Sequence, residues 1–304
     1  MHLTAAISDI SRGSIHDGPG VRTVVYFRGC SLRCRWCHNP ETVSQRATLM
    51  YLKTKCIGCA RCVESCSVHS VRDGVHTIHR ELCRGCGACA NACPTGALRL
   101  ACETVAVADL IERILKDKPY YDASGGGVTL SGGECLLQAD FCETFLRECR
   151  AREIHTAIET ALYVPYENVE RVLSQTDLFF ADLKLGTPER HRAYTGQTNE
   201  RIVENLVRLS HENTRLIVRI PVIPSVNDTE EELSAIAEIL ASLGDAVCEV
   251  ELLKYNPLAE GKYRAVDSLY TPFAKEPQTD TQMGRIADTL SSAIGSRYPV
   301  TWRK

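Results

Sequence analysis

The sequence has 304 residues, of which 44% are hydrophobic and 24% are charged, as is ordinary for a water-soluble protein with one large and one small domain. The net charge of −3 argues against a nucleic-acid-binding surface, and no apolar run approaches the ~20 residues that a membrane-spanning helix needs. Sixteen cysteines, with no secretory signal before them, predict a reducing cytoplasm in which clustered cysteines bind metal rather than form disulfides.

The first predicted element is a buried strand at residues 21–27, and a cysteine array follows it directly. Cys30, Cys34 and Cys37 have the spacing C-x3-C-x2-C. A cubane [4Fe–4S] cluster is usually held by four cysteines, so three local thiolates leave one iron without a protein ligand. An open iron can bind a small molecule. A structural zinc site is the alternative, but zinc favours paired C-x2-C motifs and four ligands.

Two further cysteine arrays lie within residues 51–97, and both have the spacing C-x2-C-x2-C-x3-C. This is the spacing of bacterial two-cluster ferredoxins, in which the fourth cysteine of each run binds the other cluster. We therefore assign one [4Fe–4S] cluster to Cys56, Cys59, Cys62 and Cys93, and the other to Cys83, Cys86, Cys89 and Cys66. The two clusters either carry electrons or only staple a segment that is too small for an adequate core.

From residue 104 onward, strand-like apolar runs alternate with helical patterns. We predict strands at residues 128–131, 154–158, 178–184, 216–222 and 247–253, and helices at residues 105–116, 138–152, 165–173, 199–212, 228–243 and 279–297. With the first strand, this makes six strands alternating with six helices, which predicts a parallel sheet with crossover helices. Six units are too few for a closed eight-stranded barrel.

Glycines and charged residues follow two of these strands. Gly132 and Gly133 allow the backbone to approach a ligand closely, and the Glu134 carboxylate can pair with an ammonium group. Asp182 and Lys184 lie on one face of their strand, because side chains alternate along it. Inward-facing charges at the carboxyl end of a strand favour a functional role. A solvent-facing ion pair is the alternative.

The other polar residues carry weaker signals. Arg219 ends a strand and is either functional or a structural arginine at the rim of the sheet. The remaining histidines, among them His69 and His76, have no spacing that indicates a metal site. Four other cysteines are interpreted as small buried apolar residues: Cys102, Cys142, Cys149 and Cys248.

The array at residues 30–37 has the spacing of the radical S-adenosylmethionine (SAM) superfamily. Its flanking segments, His16–Arg22 and Trp36–Glu41, resemble the activating enzymes of glycyl radical enzymes, such as the activator of pyruvate formate-lyase. The resemblance covers about residues 15–263 and implies an α/β fold, a partial (β/α)6 TIM-like barrel that is open on one side. Residues 1–50 and 98–304 would form the barrel, and residues 51–97 an inserted ferredoxin-like domain with two [4Fe–4S] clusters.

The resemblance also implies which residues bind SAM. The Gly132-Gly133-Glu134 run is similar to the family motif that holds the amino group of SAM. The full set of implied SAM contacts is Trp36, Cys37, His38, Asn39, Gly132, Gly133, Glu134, Asp182, Leu183, Lys184, Arg219 and Asn256. Cys135, Lys254 and Asn256 depart from the family pattern. Asn256 can form hydrogen bonds but cannot titrate near neutrality, so only a hydrogen-bonding role is expected for it.

The implied activity is reductive cleavage of SAM to methionine and a 5′-deoxyadenosyl radical, which abstracts a hydrogen atom from a backbone glycine of a partner enzyme. The implied cofactors are SAM and three [4Fe–4S] clusters, and the implied setting is anaerobic. The expected partners are a glycyl radical enzyme and a low-potential electron donor such as flavodoxin or ferredoxin, without nucleic acid or membrane. A radical SAM enzyme for another peptide or small molecule is one alternative. A non-catalytic ferredoxin-type carrier is the other, but it leaves the barrel without a role.

Overall fold

The structure is a computed structural model that describes residues 3–72, 74–269, 271–295 and 297–302. The strands are β1 Thr4–Ser14, β2 Arg22–Phe27, β3 Thr48–Tyr51, β4 His69–Arg72, β5 Val75–Ile78, β6 Leu98–Ala101, β7 Glu103–Ala106, β8 Gly127–Gly132, β9 His155–Thr160, β10 Leu178–Asp182, β11 Leu216–Pro221, β12 Val247–Leu253 and β13 Val300–Trp302. The α-helices are α1 Arg61–Ser65, α2 Ala88–Asn91, α3 Val107–Leu115, α4 Lys118–Ser124, α5 Ala139–Arg150, α6 Tyr166–Leu173, α7 Pro188–Thr195, α8 Glu200–Ser210, α9 Glu230–Ala241, α10 Glu260–Ala265 and α11 Asp280–Ile294.

One large sheet organises the chain. In the described residues it has the strand order β13-β12-β11-β10-β9-β8-β2-β1-β7. The strands from β2 through β8 to β12 all pair in parallel, and helices connect them. These six parallel strands and their crossover helices confirm the predicted partial (β/α)6 barrel. The sheet ends at β7 on one side and at β13 on the other, which leaves the barrel open.

The two edges of the sheet contain strands that the sequence patterns did not predict. The strand β1 pairs antiparallel with both β2 and β7, and β13 adds to β12 in parallel. Only the first half of β1 alternates between buried and less buried positions, and most of its second half is exposed. A strand without a long apolar run gives little period-two signal, so only its pairing partners define it. The helix α7 was missed for a similar reason, since nearly all of its residues are polar.

The core lies between the sheet and the helices that cover it. Phe179 of β10 and Phe145 of α5 are fully buried in the same cluster of side chains. Phe27 packs edge-on against Phe141 with ring centroids 6.0 Å apart, and Phe141 stacks on Phe145 at 6.2 Å. These contacts fix α5 against the end of β2, which is where the first cysteine array begins.

Residues 52–97 lie between β3 and β6, which pair antiparallel; this two-stranded sheet is called the neck below. Between the two strands of the neck, the two cysteine arrays have the same local backbone structure. A 3-10 helix, Lys53–Lys55 or Arg80–Leu82, precedes each array, and a short helix, α1 or α2, carries its third cysteine. The residue before each short helix, Ala60 or Gly87, has a positive φ. This internal repeat is the geometry expected of two equivalent cluster-binding halves. The boundaries of 51 and 97 stay a prediction.

Among the described residues, no helix is both long enough and apolar enough to cross a membrane.

Candidate metal centres

The first candidate centre is the loop that follows β2. Its three thiols, Cys30, Cys34 and Cys37, interact electrostatically with one another. Burial raises the pKa of Cys30 to about 11, that of Cys34 to about 12 and that of Cys37 to about 11. Three half-buried and mutually repelling sulfur atoms need a shared positive partner to exist as thiolates. Iron is such a partner, so this donor set fits an iron–sulfur cluster.

Backbone hydrogen bonds from two distant segments hold the cluster loop in place. The Cys30 N–H donates to the Val43 carbonyl at 3.1 Å, on one side of the loop. The Arg33 and Arg35 N–H groups donate to the carbonyls of Thr195 and Tyr194, at 2.7 and 3.0 Å. The C-terminal end of the polar helix α7 therefore supports the centre of the loop.

The turn after β8 packs directly against the same loop. Gly132 has φ +117°, and a Cβ atom there would lie 2.2 Å from the Phe27 nitrogen. A Cβ atom on Gly133 would lie 2.2 Å from the Gly29 carbonyl oxygen and 3.2 Å from the Cys30 Cβ. Only glycine permits this approach, so the two residues bring the turn beside the first cysteine.

Glu134 follows these glycines and is only 1% exposed. Its carboxylate accepts hydrogen bonds from the Thr160 hydroxyl at 2.9 Å, from the Ala161 N–H at 2.9 Å and from the Leu136 N–H at 3.2 Å. Burial raises the pKa of Glu134 to about 7, although these donors oppose the shift. The carboxylate therefore ties the turn after β8 to the end of β9, close to Cys30.

Asp182 and Lys184 form the ion pair expected from their spacing. The Lys184 Nζ donates to Asp182 Oδ2 at 2.7 Å, and the Lys184 side chain is largely buried. Burial lowers the pKa of Lys184, but attraction to Asp182 and to the thiols of Cys34 and Cys30 outweighs it and raises the pKa overall. Leu183 between them is fully buried. Lys184 thus stays positively charged near Cys34 and Cys30, and Asp182 offsets part of that charge.

Arg219 is buried at the centre of a network that the sequence did not reveal. Its Nε donates to Glu251 at 2.7 Å, and its two terminal nitrogens donate to Glu159 and, at 2.9 Å, to the His16 carbonyl. Its guanidinium also lies 3.7 Å from the centre of the Phe180 ring. Glu251 lies within a predicted strand and Glu159 directly follows one, so a charged residue in or beside an apolar run was the signal that could have found them.

The segment around Trp36 meets the end of β12. Trp36 is buried in an aromatic cluster with Tyr194 and Phe273, at centroid distances of 6.2 and 6.0 Å. The His38 Nε2 lies 3.0 Å from the Asn256 carbonyl oxygen. The Asn256 side chain accepts the Leu258 N–H at 2.9 Å and so caps the 3-10 helix that follows.

Lys262 completes this contact between the cluster loop and the end of the barrel. Its Nζ donates to Asn39 Oδ1 at 2.6 Å and to Glu41 at 2.7 Å. Two positions that depart from the family pattern have other partners. Lys254 pairs with Asp280 at the start of α11, at 2.6 Å, and Cys135 is fully buried against the carbonyl groups of Leu130 and Glu159.

The second candidate centre lies in the segment of residues 52–97. One small cavity is lined by all four cysteines that were assigned to the first cluster, Cys56, Cys59, Cys62 and Cys93. In the other half, the Cys89 thiol interacts electrostatically with Cys66 and Cys83. The structure thus brings Cys93 and Cys66 to the arrays opposite their own, as the crosswise assignment requires. The first donor set fits a [4Fe–4S] cluster, three cysteines of the second set lie close enough to interact, and the individual ligands stay predictions.

Two histidines lie beside the cavity that is lined by Cys56, Cys59, Cys62 and Cys93, although the sequence predicted no metal-site role for them. The His76 Nε2 is 3.5 Å from the Cys62 Sγ and 2.9 Å from the His69 Nδ1. Ligand atoms of all three residues lie within 4.8 Å of one another. The hairpin β4–β5 produces this contact by pairing Val71 with His76. The seven-residue separation of the histidines along the chain gave no sign of it.

Comparison with known proteins agrees with this architecture. A family model described as the radical SAM superfamily matches residues 81–237, and one described as a 4Fe-4S single cluster domain matches residues 16–72. The structure of SuiB from Streptococcus suis bound to its precursor peptide SuiA has a TM-score of 0.56, with 12% identity over 92% of this chain and 48% of that chain. That likeness concerns the fold alone. Fold, cysteine array and family match define a radical SAM protein.

Two curated relatives narrow the family. The chain is 43% identical to the (2S)-3-sulfopropanediol dehydratase activating enzyme of Klebsiella oxytoca, over 87% of this chain and 86% of the relative. It is 42% identical to the isethionate sulfite-lyase activating enzyme of Oleidesulfovibrio alaskensis, over 87% of each chain. The chain belongs to the glycyl-radical-enzyme activating enzymes of the radical SAM superfamily. It is an oxidoreductase that uses SAM and iron–sulfur chemistry, and its partner is a glycyl radical enzyme.

Proposed function

We propose that Cys30, Cys34 and Cys37 hold a [4Fe–4S] cluster whose open iron binds SAM at the carboxyl ends of β2, β8 and β10. The observation that carries this proposal is the group of three half-buried, mutually interacting thiols, with the Gly133 turn and Lys184 close to them. The reduced cluster would supply one electron to cleave SAM to methionine and a 5′-deoxyadenosyl radical, which takes a hydrogen atom from a backbone glycine of the partner.

Several residues of the chain position this cluster and compensate its negative charge. Lys184 compensates part of the negative charge of the cysteine thiolates, because its ammonium group is close enough to Cys34 and Cys30 to interact electrostatically with them. Gly132 and Gly133 let the turn lie against the backbone of Phe27 and Gly29, beside Cys30, and so place Glu134 near the cluster loop. Glu134 holds that turn through Thr160 and Ala161, so we assign it a positioning role as well as the contact with the amino group.

The other proposed SAM contacts border the same space. Trp36, His38 and Asn39 flank Cys37. The contact of His38 with Asn256 and that of Asn39 with Lys262 hold the cluster loop against the segment that follows β12. Asp182 and Leu183 are proposed contacts because they directly precede Lys184 at the carboxyl end of β10. Arg219 is saturated by Glu159, Glu251 and the His16 carbonyl, which supports a positioning role for its guanidinium.

We further propose that residues 51–97 form a ferredoxin-like domain with two auxiliary [4Fe–4S] clusters, inserted into a barrel of residues 1–50 and 98–304. The cavity lined by Cys56, Cys59, Cys62 and Cys93 supports this count of three clusters in all. The domain would pass electrons from an acidic low-potential carrier such as flavodoxin or ferredoxin. Its six basic and three acidic residues, in a chain of net charge −3, favour such a partner. A reducing cytoplasm is the proposed compartment, since the ligands must remain thiolates.

The partner is proposed to be a glycyl radical enzyme that eliminates a leaving group. The relatives at 43 and 42% identity are named for a dehydratase and a sulfite-lyase, and both names describe eliminations.

Electron paramagnetic resonance (EPR) tests the proposed function. The anaerobic, reconstituted protein is mixed with reductant, SAM and a candidate glycyl radical enzyme from the same genome. We expect a glycine-centred doublet on the partner and 5′-deoxyadenosine in solution, both lost in Cys34→Ala. The matched control is Cys248→Ala, because Cys248 is exposed and outside every array. Iron analysis should give about twelve irons per chain, with about four lost in Cys34→Ala, since each cubane holds four.

Two outcomes would contradict the proposal. If 5′-deoxyadenosine forms without a doublet on any candidate partner, the chain is a radical SAM enzyme for another substrate. If neither product forms although all clusters are present, the chain is an electron carrier.

A further inference from the structure

The two proposed auxiliary clusters differ in the side chains that surround their sulfur atoms. At the first cluster the His76 ring lies 3.5 Å from Cys62, and the Thr95 hydroxyl lies 3.7 Å from Cys93. At the second cluster, no side chain of the described residues donates a hydrogen bond to Cys66, Cys83, Cys86 or Cys89. Identical spacing in the sequence therefore leads to two chemically different sites.

Two neighbouring rings hold the His76 side chain in place beside Cys62. The Tyr51 ring meets its ring edge-on at 4.5 Å, and the His69 ring lies nearly parallel to it at 5.0 Å. His69 is only 3% exposed. The outer nitrogens of the pair, His76 Nδ1 and His69 Nε2, are buried without a hydrogen-bond partner among the described residues. Unpartnered buried polar atoms are unfavourable, so packing alone gives no reason for two histidines at these positions.

The position of the shared proton follows from charge. The His69 Nδ1 and the His76 Nε2 are 2.9 Å apart, which is a hydrogen-bond distance, so one proton lies between these two nitrogens. A cluster-bound Cys62 is a thiolate, and its negative sulfur attracts that proton to the nitrogen that faces it. The His76 Nε2–H then donates toward both Cys62 Sγ and His69 Nδ1.

We propose that His76, held by His69, donates an N–H to Cys62 and raises the reduction potential of the cluster bound by Cys56, Cys59, Cys62 and Cys93 above that of the other auxiliary cluster. A hydrogen bond to a ligating sulfur stabilises the more negative, reduced state of the cluster. An electron that enters the inserted domain therefore rests on this cluster at equilibrium. The inference rests on the proposed assignment of the auxiliary clusters.

The test is a redox titration of the full-length, reconstituted protein, followed by EPR. His76→Phe removes the donor and keeps a ring of similar size, so we expect one midpoint potential to fall by about 59 mV, a tenfold change for a one-electron couple. The other two potentials should not move. His76→Gln keeps an N–H donor and should restore most of the difference. His79→Phe is the matched control, since the His79 side chain is half exposed and forms an ion pair with Glu81.

A second measurement needs no substitution. Pulsed EPR of the reduced wild-type protein should show a weak ¹⁴N coupling from a hydrogen-bonded imidazole on one auxiliary cluster. Unchanged potentials in His76→Phe at full iron content would overturn the proposal. A strong, directly bonded ¹⁴N coupling would also overturn it, as would one zinc per chain at Cys62, His69 and His76, because His76 would then be a ligand. Iron content reports separately on the clusters themselves, so loss of the auxiliary clusters would refute the assignment rather than the role of His76.

Discussion

The barrel and the inserted segment bury very different material. The barrel packs aliphatic and aromatic side chains from its strands and covering helices into one continuous core. In the described part of residues 51–97, only Val68, Cys89 and Ala97 are buried apolar residues. The cysteines Cys62, Cys66, Cys83 and Cys93 fill much of the remaining contact around the neck. The barrel is therefore stabilised by hydrophobic burial, whereas the segment depends on what its thiolates bind.

Removal of iron should separate the two regions most strongly. We expect the segment of residues 51–97 to unfold in protein stripped by a chelator, because three buried apolar residues cannot offset its conformational entropy. The barrel should keep its secondary structure. Limited trypsin digestion of stripped and reconstituted protein measures this, with the first cuts expected at basic residues between 53 and 84. Cuts that begin in the barrel, or a segment that stays protected without iron, would contradict the comparison.

A cavity in the barrel core should have a smaller effect, confined to the barrel. Phe145 is fully buried and stacks on Phe141, so Phe145→Ala should destabilise the barrel by about 3–5 kcal/mol. Hydrogen exchange of the β10 amides reports this local free energy of opening. The midpoint potentials of the auxiliary clusters serve as the control and should stay at their wild-type values. A shift in those potentials would mean that the two regions are coupled.

Loss of a single hydroxyl beside Glu134 should have the smallest effect. Thr160→Val keeps the side-chain shape but removes the donor to both carboxylate oxygens, which should cost about 1–3 kcal/mol. Hydrogen exchange at the end of β9 measures the cost, and SAM binding should weaken because the glycine turn loses its anchor. Thr289→Val is the matched control, since Thr289 is exposed on α11. Equal effects of the two substitutions would show that Glu134 does not depend on Thr160.

Much of the fold was predictable because the main elements carry local patterns. The six parallel strands lie within a few residues of their predicted positions, since each is an apolar run bounded by turns or helices. The strands β1, β7 and β13 were missed because neighbours across the sheet define them. The glycines before Glu134 were found from their position after a strand. The sequence could not show why only glycine fits there, because the backbone atoms that a side chain would meet belong to Phe27 and Gly29, more than a hundred positions away.

The sequence by itself determined the chemistry of the cysteine arrays, because ligands three or four residues apart converge locally whatever the rest of the chain does. The tertiary structure decided which charges meet. Arg219 finds Glu251, Glu159 and His16 only when three strands and a distant loop come together, and these partners lie 32, 60 and 203 positions away. His69 and His76 likewise reach Cys62 only through the β4–β5 hairpin. Burial then makes such contacts matter, because charges and donors act most strongly where water is excluded.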